Sequence, residues 1–420
     1  MHYPVEVTQP SSPTHRSRSG VVAAIGFWFF PIAFMARLPY AMMVVGNLTL
    51  VVSARDSLAL GGAAAAAVGI GTALCGPLLG AAADRFGQRP VLVISALISG
   101  ALLVVLAWVA YSPLPDLAIL GTAAAIGAFA PQVGPMSRTR LGQIILTRAP
   151  IERRERALNG AMAYESMADE INFVIGPVLV GLVAALVHPA APLVLAAALS
   201  AIFVTAFALH PSAPVGTDPD ADPAAVAPVR ELFAPGLLLA VLGTFGVGMF
   251  FGASLTSLTA TMGELGSPES AGIVYGAMGL GSAVFALGVM WLPPGFTLAA
   301  RWTSFAVVML LSAVGYALAG LNLTGIVIAL LVAGCGVGPT LVTLFGLGVR
   351  LSPRGRSATA MTMLGSAVIV GQSLSSAATG ALGERYGAMP AMWAPLVAAV
   401  VVTVAGVANT VVGRGRRSRA

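Results

Sequence analysis

The chain has 420 residues, 57% of them hydrophobic and 9% charged, with a formal net charge of +6 and a mean hydropathy of +0.91. Soluble domains carry about a quarter charged residues, so this composition excludes that class and points to an integral membrane protein. Cys75 and Cys335 lie far apart inside apolar runs and the four His are scattered, so neither a disulfide framework nor a metal site is expected.

Residues 1–20 form a polar leader with Arg16 and Arg18, expected to stay as a cytoplasmic tail because the apolar run after it is too long for a cleaved signal core. Apolar runs of ~20 residues then follow almost without interruption, and helices are the expected way to satisfy their amides in lipid. A closed β-barrel would need short alternating segments, which these Ala-, Leu-, Val- and Gly-rich runs are not. Spans are predicted near 21–50, 59–83, 90–111, 117–136, 158–187 and 191–210, then near 234–260, 271–292, 299–320, 324–349, 357–382 and 389–412. Between the two sets of six lies a Pro- and Asp-rich segment, 211–232, whose composition reads as a linker. The fold class is therefore all-α integral membrane, with twelve transmembrane helices in two six-helix bundles, 21–210 and 233–412, and a short tail at 413–420.

Every one of the 22 basic residues is Arg. Arg85 and Arg89, the six from Arg138 to Arg156, Arg230, Arg301, Arg350, Arg354, Arg356 and the tail from Arg414 fall on one set of loops. The opposite loops hold only Arg55 and Arg385. By the positive-inside rule both termini are expected in the cytoplasm of a plasma membrane, and the Arg-rich, Lys-free composition suggests a bacterial one. This distribution also removes nucleic acid as the explanation of the basic charge.

Span 2 carries Gly76-Pro77 and ends in Gly80-Ala-Ala-Ala-Asp84-Arg85-Phe86-Gly87-Gln88-Arg89, and span 11 ends in Gly380-Ala-Leu-Gly-Glu384-Arg385-Tyr386-Gly387 on the opposite side. Span 5 carries Gly176-Pro177-Val-Leu-Val-Gly181, an echo of the span 2 Gly-Pro at a corresponding place. Similarity between segments of opposite orientation marks inverted three-helix repeats. The loop after span 2 resembles the signature between helices 2 and 3 of the major facilitator superfamily. The resemblance implies a conformational latch formed by Gly80, Asp84, Arg85, Gly87 and Arg89, with Asp84 receiving a neighbouring helix N-terminus. The span 5 motif is similar to that of the drug and proton antiporters of the superfamily. It implies a pliable seam between the halves at Asn172, Gly176, Pro177 and Gly181, although Asn172 stands where antiporters tend to have Gly. Span 4 around Gly127 lacks the Arg that many antiporters place there.

Charge inside the spans is costly and asks for partners. Arg37 falls midway in span 1, and Glu165, Asp169 and Glu170 fall in span 5. At 100° per residue Glu165, Asp169, Asn172 and Gly176 share one helix face and Glu170 lies off it. Either Asp169 or Glu170 is expected to pair with Arg37, the other facing the cavity as a proton-responsive group. Tyr40, Gln132, Phe250, Thr256, Thr340 and Thr343 are candidate cavity residues, describing a mostly apolar path suited to small amphipathic organic solutes. The expected activity is proton-coupled efflux of such solutes by alternating access, by a protein acting as a monomer and without a cofactor. An uptake permease of the same fold is the alternative. A membrane enzyme or receptor is disfavoured by the lack of a nucleophile elbow, phosphate loop or ligand cluster.

Overall fold

In the computed structural model, residues 25–213, 226–266, 271–293 and 295–417 are described. Twelve helices are long and apolar enough to cross a bilayer, and no strand occurs among the described residues. They are α1 Phe29–Arg55, α2 Leu58–Phe86, α3 Gln88–Tyr111, α4 Asp116–Arg148, α5 Ile151–Leu186 and α6 Ala191–Leu209 in the first half. The second half contains α7 Pro235–Glu264, α8 Ala271–Trp291, α9 Leu298–Ala319, α10 Leu323–Leu351, α11 Ser357–Tyr386 and α12 Ala388–Val412. The chain is a multi-pass membrane protein. The leader at 1–20, most of the linker and the last residues of the tail lie outside the described residues.

Two helices are broken where proline removes an amide. Pro39 cannot donate to the Met35 carbonyl, and α1 is interrupted at Ala36 and Arg37. Pro131 interrupts α4 between Phe129 and Gln132, after which the helix runs on to Arg148. The predicted end of span 4 at residue 136 and the start of span 5 at 158 are therefore both too short. Six arginines read as a loop in fact sit on two helices joined by Ala149 and Pro150 alone. The reason is visible in Arg140, which is buried, donates to Gln88 Oε1 and Phe207 O at 2.7 Å each and stacks on the Phe207 ring. Partners inside the bundle let the helix continue despite its charge.

One apolar cluster is centred on the second half, with Trp302, Phe250 and Met309, and takes in Ile145, Leu158 and Met162 of the first. Met42, Leu50 and Leu106 fill one cluster of the first half, and Phe29, Leu92 and Phe207 another. The outer surface is apolar as well, with Leu97, Trp108, Leu182 and Val404 exposed, as lipid requires. At the end with few arginines, Arg55 donates to Ala110 O at 2.9 Å and to Ser112 O at 2.9 Å, taking up carbonyls that α3 leaves unpaired at its C-terminus.

The same close glycine contact between helices recurs in both halves. A β-carbon added to Gly127 of α4 would overlap the Val68 carbonyl oxygen of α2, and one added to Gly248 of α7 would overlap the Val368 carbonyl oxygen of α11. Gly71 meets the α4 backbone at Ala124 in the same way that Gly371 meets the α7 backbone at Phe245. The α8–α10 pair repeats the contact again, with Gly281 against Leu331 O and Gly334 against Met278 O.

Candidate functional site

The two halves meet at the Arg-rich end. Asp84, in the last turn of α2, accepts from the amides of Ala358 at 2.9 Å and Thr359 at 2.8 Å and from the Thr359 hydroxyl at 2.6 Å. These amides open α11 and have no acceptor within the helix, so the carboxylate supplies both hydrogen bonds and charge to the positive end of the helix dipole. Gly80 permits this approach, because a β-carbon there would overlap Thr362 Oγ1 and reach 2.8 Å from Ala358 O. Gly87 turns the chain from α2 into α3 at φ 87°, a conformation open to glycine. Arg85 lies over the adjacent Phe86 ring at 5.2 Å. Arg85 and Arg89 are both exposed, and neither has a hydrogen bond or ion pair among the described residues. The contact sets an acid against a helix N-terminus.

Further contacts close the same end. Gln143 Nε2 donates to Ser357 Oγ at 2.7 Å, and Glu155 pairs with Arg350 at 3.5 Å. Among the described residues no hydrogen bond or ion pair joins the halves at the opposite end.

Deeper in the first half lies a balanced cluster of four charges. Arg37, at the break in α1, donates through Nη2 to Glu165 Oε2, through Nε to Asp169 Oδ1 at 2.8 Å and through Nη1 to Ala33 O at 2.7 Å. Arg138 of α4 donates to Asp169 Oδ2 at 2.6 Å, and Ser137 donates to Glu165 Oε1 at 2.7 Å. Two guanidiniums thus face two carboxylates, and the remaining oxygens are occupied, as a low-dielectric site demands. Gly134 leaves room, since a β-carbon there would stand 3.2 Å from Arg138 Nη1. Arg138 also stacks at 3.9 Å on Phe345 of α10, so the cluster touches the second half. Glu165 is fully buried, whereas Asp169 keeps 30% of its side chain exposed.

The face of α5 holding Glu165, Asp169, Asn172 and Gly176 is the one against α1. Asn172 donates to Ala168 O at 2.8 Å, and a β-carbon on Gly176 would lie 2.7 Å from Ala41 Cβ. That seam joins two helices of one half, not the two halves as expected from the antiporter resemblance. Pro177 lies within the helix, and Gly181 has open space around it.

Glu170 points the other way. It crosses to α8, where Ser282 Oγ donates to its Oε1, while its Oε2 is buried with no hydrogen-bond partner. Each acid was a candidate partner for Arg37, and the structure gives that place to Asp169 together with Glu165. Ser282 and Arg138 escaped the sequence reading: a serine in an Ala- and Gly-rich span carries no distinguishing signal, and Arg138 was counted as loop.

The remaining candidates are dispersed. Tyr40 is half-buried and its hydroxyl meets Thr72. Gln132 sits at the α4 break beside Gly76 and donates to Ala130 O. Thr256 lies between α7 and α11, near Gly380. Phe250, Thr340 and Thr343 are buried, and both threonine hydroxyls donate to carbonyls of their own helix at 2.7 Å.

A family model for the major facilitator superfamily matches residues 23–367. The chain belongs to this superfamily. No curated protein matches it by sequence. Among solved superfamily-like folds, a human organic anion transporter, MFSD10, has 17% identity and a TM-score of 0.68, covering 91% of this chain and 98% of its own. A bacterial homologue of the iron transporter ferroportin in an outward-facing state has 14% identity and a TM-score of 0.71 over 91% and 98%. The E. coli fucose:proton symporter FucP has 15% identity and a TM-score of 0.67 over 90% and 98%. Superfamily membership makes the chain a transporter rather than an enzyme, and the fold is that of secondary transport.

Proposed function

We propose that the protein exports small amphipathic organic molecules in exchange for protons, working as a monomer in a bacterial inner membrane with both termini in the cytoplasm. The Arg-rich end is then cytoplasmic, and the structure is the outward-facing member of an alternating-access pair.

One observation carries the coupling: Glu170 is the intramembrane acid that reaches across the interface between halves, with an oxygen buried and unpartnered. Asp169 and Glu165 are balanced by Arg37 and Arg138 and serve to hold α1, α4 and α5 together. A carboxylate without a cation at this depth costs several kcal/mol, on the order of 3 on insertion scales, and a bound proton removes that cost. Closing α8 onto Glu170 therefore favours the protonated acid, and parting the halves lets the proton leave and a substrate compete for the site. The half-buried Tyr40 and the aliphatic helix faces around it suit an amphipathic solute.

Reconstituted protein exposed to an imposed pH gradient tests this with ethidium as the probe. Gradient-driven movement in the wild type and its loss in Glu170→Gln support the reading; equal movement in both overturns the role of Glu170. The alternative, proton-coupled uptake, uses the same groups, and FucP is a fold neighbour that is a proton symporter. The direction in which the gradient drives solute decides between them.

A further inference from the structure

At the Arg-rich end α2 and α11 pack in a fixed register. The facing pairs at the closed end are Asp84 with Ala358, Gly80 with Thr362, Gly76 with Ser366 and Gly69 with Ser373. Each step of four, four and seven residues back along α2 is matched by the same step forward along α11, the mark of one continuous antiparallel register. Beyond Gly69 the same register reaches Gly62 opposite Gly380, and then Leu58 opposite Glu384. In this structure a β-carbon on Gly62 would meet nothing within 4 Å, and one on Gly380 would meet only Thr256 of its own half, at 3.7 Å.

The two ends of the pair are built alike. α2 spans Leu58–Phe86 and α11 spans Ser357–Tyr386. Gly87 ends the first at φ 87°, ψ 156° and Gly387 ends the second at φ 86°, ψ 175°. Arg85 stands 5.2 Å from the Phe86 ring and Arg385 stands 5.4 Å from the Tyr386 ring. The acids differ: Asp84 is engaged with the start of α11, whereas Glu384 is exposed and has no hydrogen bond or ion pair among the described residues. At the start of α2, Ser57 Oγ takes the Leu60 amide at 3.2 Å. The first amides of a helix, here those opening α2, precede the first intrahelical acceptor.

We propose that Glu384 is the gating residue of the opposite end. When the halves close there, α2 and α11 zip along the established register, Gly62 packs on Gly380, and the Glu384 carboxylate receives the Leu58 and Ala59 amides as Asp84 receives those of Ala358 and Thr359. The two acids then compete, one latch forming as the other breaks, and their balance sets the population of the two states. Like the proposed function, this rests on alternating access, but it requires neither a proton nor a particular substrate.

Cysteine cross-linking of the full chain in membranes tests it, in a Cys75→Ser, Cys335→Ser background. Gly62→Cys with Gly380→Cys is the test pair, and Gly69→Cys with Ser373→Cys, already in contact, is the reference. The test pair is expected to cross-link, about two- to fivefold more slowly with Glu384→Gln and faster by a similar factor with Asp84→Asn. A reference pair that cross-links while the test pair does not, or a test rate unmoved by Glu384→Gln, overturns the proposal. Spin labels on the exposed Ala63 and Ala381 give an independent reading. A distance population shorter than in this structure, depleted by Glu384→Gln, supports the latch, and a single long distance throughout overturns it. No pH gradient enters either measurement, so failure of the Glu170 assay leaves this result standing, and the converse holds.

Discussion

Asp84 and Thr359 stand 275 positions apart, yet one carboxylate oxygen receives both the amide of Thr359 at 2.8 Å and its hydroxyl at 2.6 Å. This contact places the C-terminus of a helix in the first half on the N-terminus of one in the second, at the closed end.

Removing that link is expected to open the Arg-rich end. Asp84→Ala leaves the Ala358 and Thr359 amides without their acceptor, and loss of charge-assisted hydrogen bonds of this kind costs about 2 kcal/mol. The state population then shifts roughly thirtyfold. A Thr362→Cys reporter, now covered by Gly80, should react correspondingly faster with a hydrophilic maleimide applied from the Arg-rich side.

The four-charge cluster predicts a rescue. Asp169→Asn strands Arg138 and leaves two guanidiniums against Glu165, a loss of about 2 kcal/mol or more for a pair this enclosed. Arg138→Gln combined with Asp169→Asn restores charge balance, and its melting temperature in detergent should recover most of the loss. If the double variant were no more stable than Asp169→Asn, pairing would not be what holds α4 to α5.

Glycines separate close approach from mere flexibility. Gly127→Val drives a side chain into the Val68 carbonyl of α2, a backbone atom that cannot move aside, and overpacking of this kind costs about 1–3 kcal/mol or more. Gly181→Val enters open space and should leave the melting temperature nearly unchanged. Comparing the two by thermal unfolding checks which part of the Gly-rich composition is structural.

How far the sequence could be read follows from which signals are local. Twelve apolar runs and the one-sided placement of Arg define the spans, because hydropathy and loop charge need no knowledge of neighbours. The 100° spacing of Glu165, Asp169, Asn172 and Gly176 likewise picks out the α5 face that meets α1. The extension of α4 and α5 through six arginines is not legible, since it depends on partners such as Gln88 and Phe207 O supplied by distant segments. Ser282 is invisible for the same reason. Thr340 and Thr343 read as cavity hydroxyls, and a sequence does not reveal that each donates to a carbonyl of its own helix.

The proposed coupling through Glu170 is tested most directly by one comparison: ethidium movement in proteoliposomes of wild type and Glu170→Gln, each with and without an imposed pH gradient. Exchange of ethidium at equal pH should persist in the variant while gradient-driven accumulation is lost. Accumulation by Glu170→Gln at the wild-type rate would contradict a proton-carrying role for this acid.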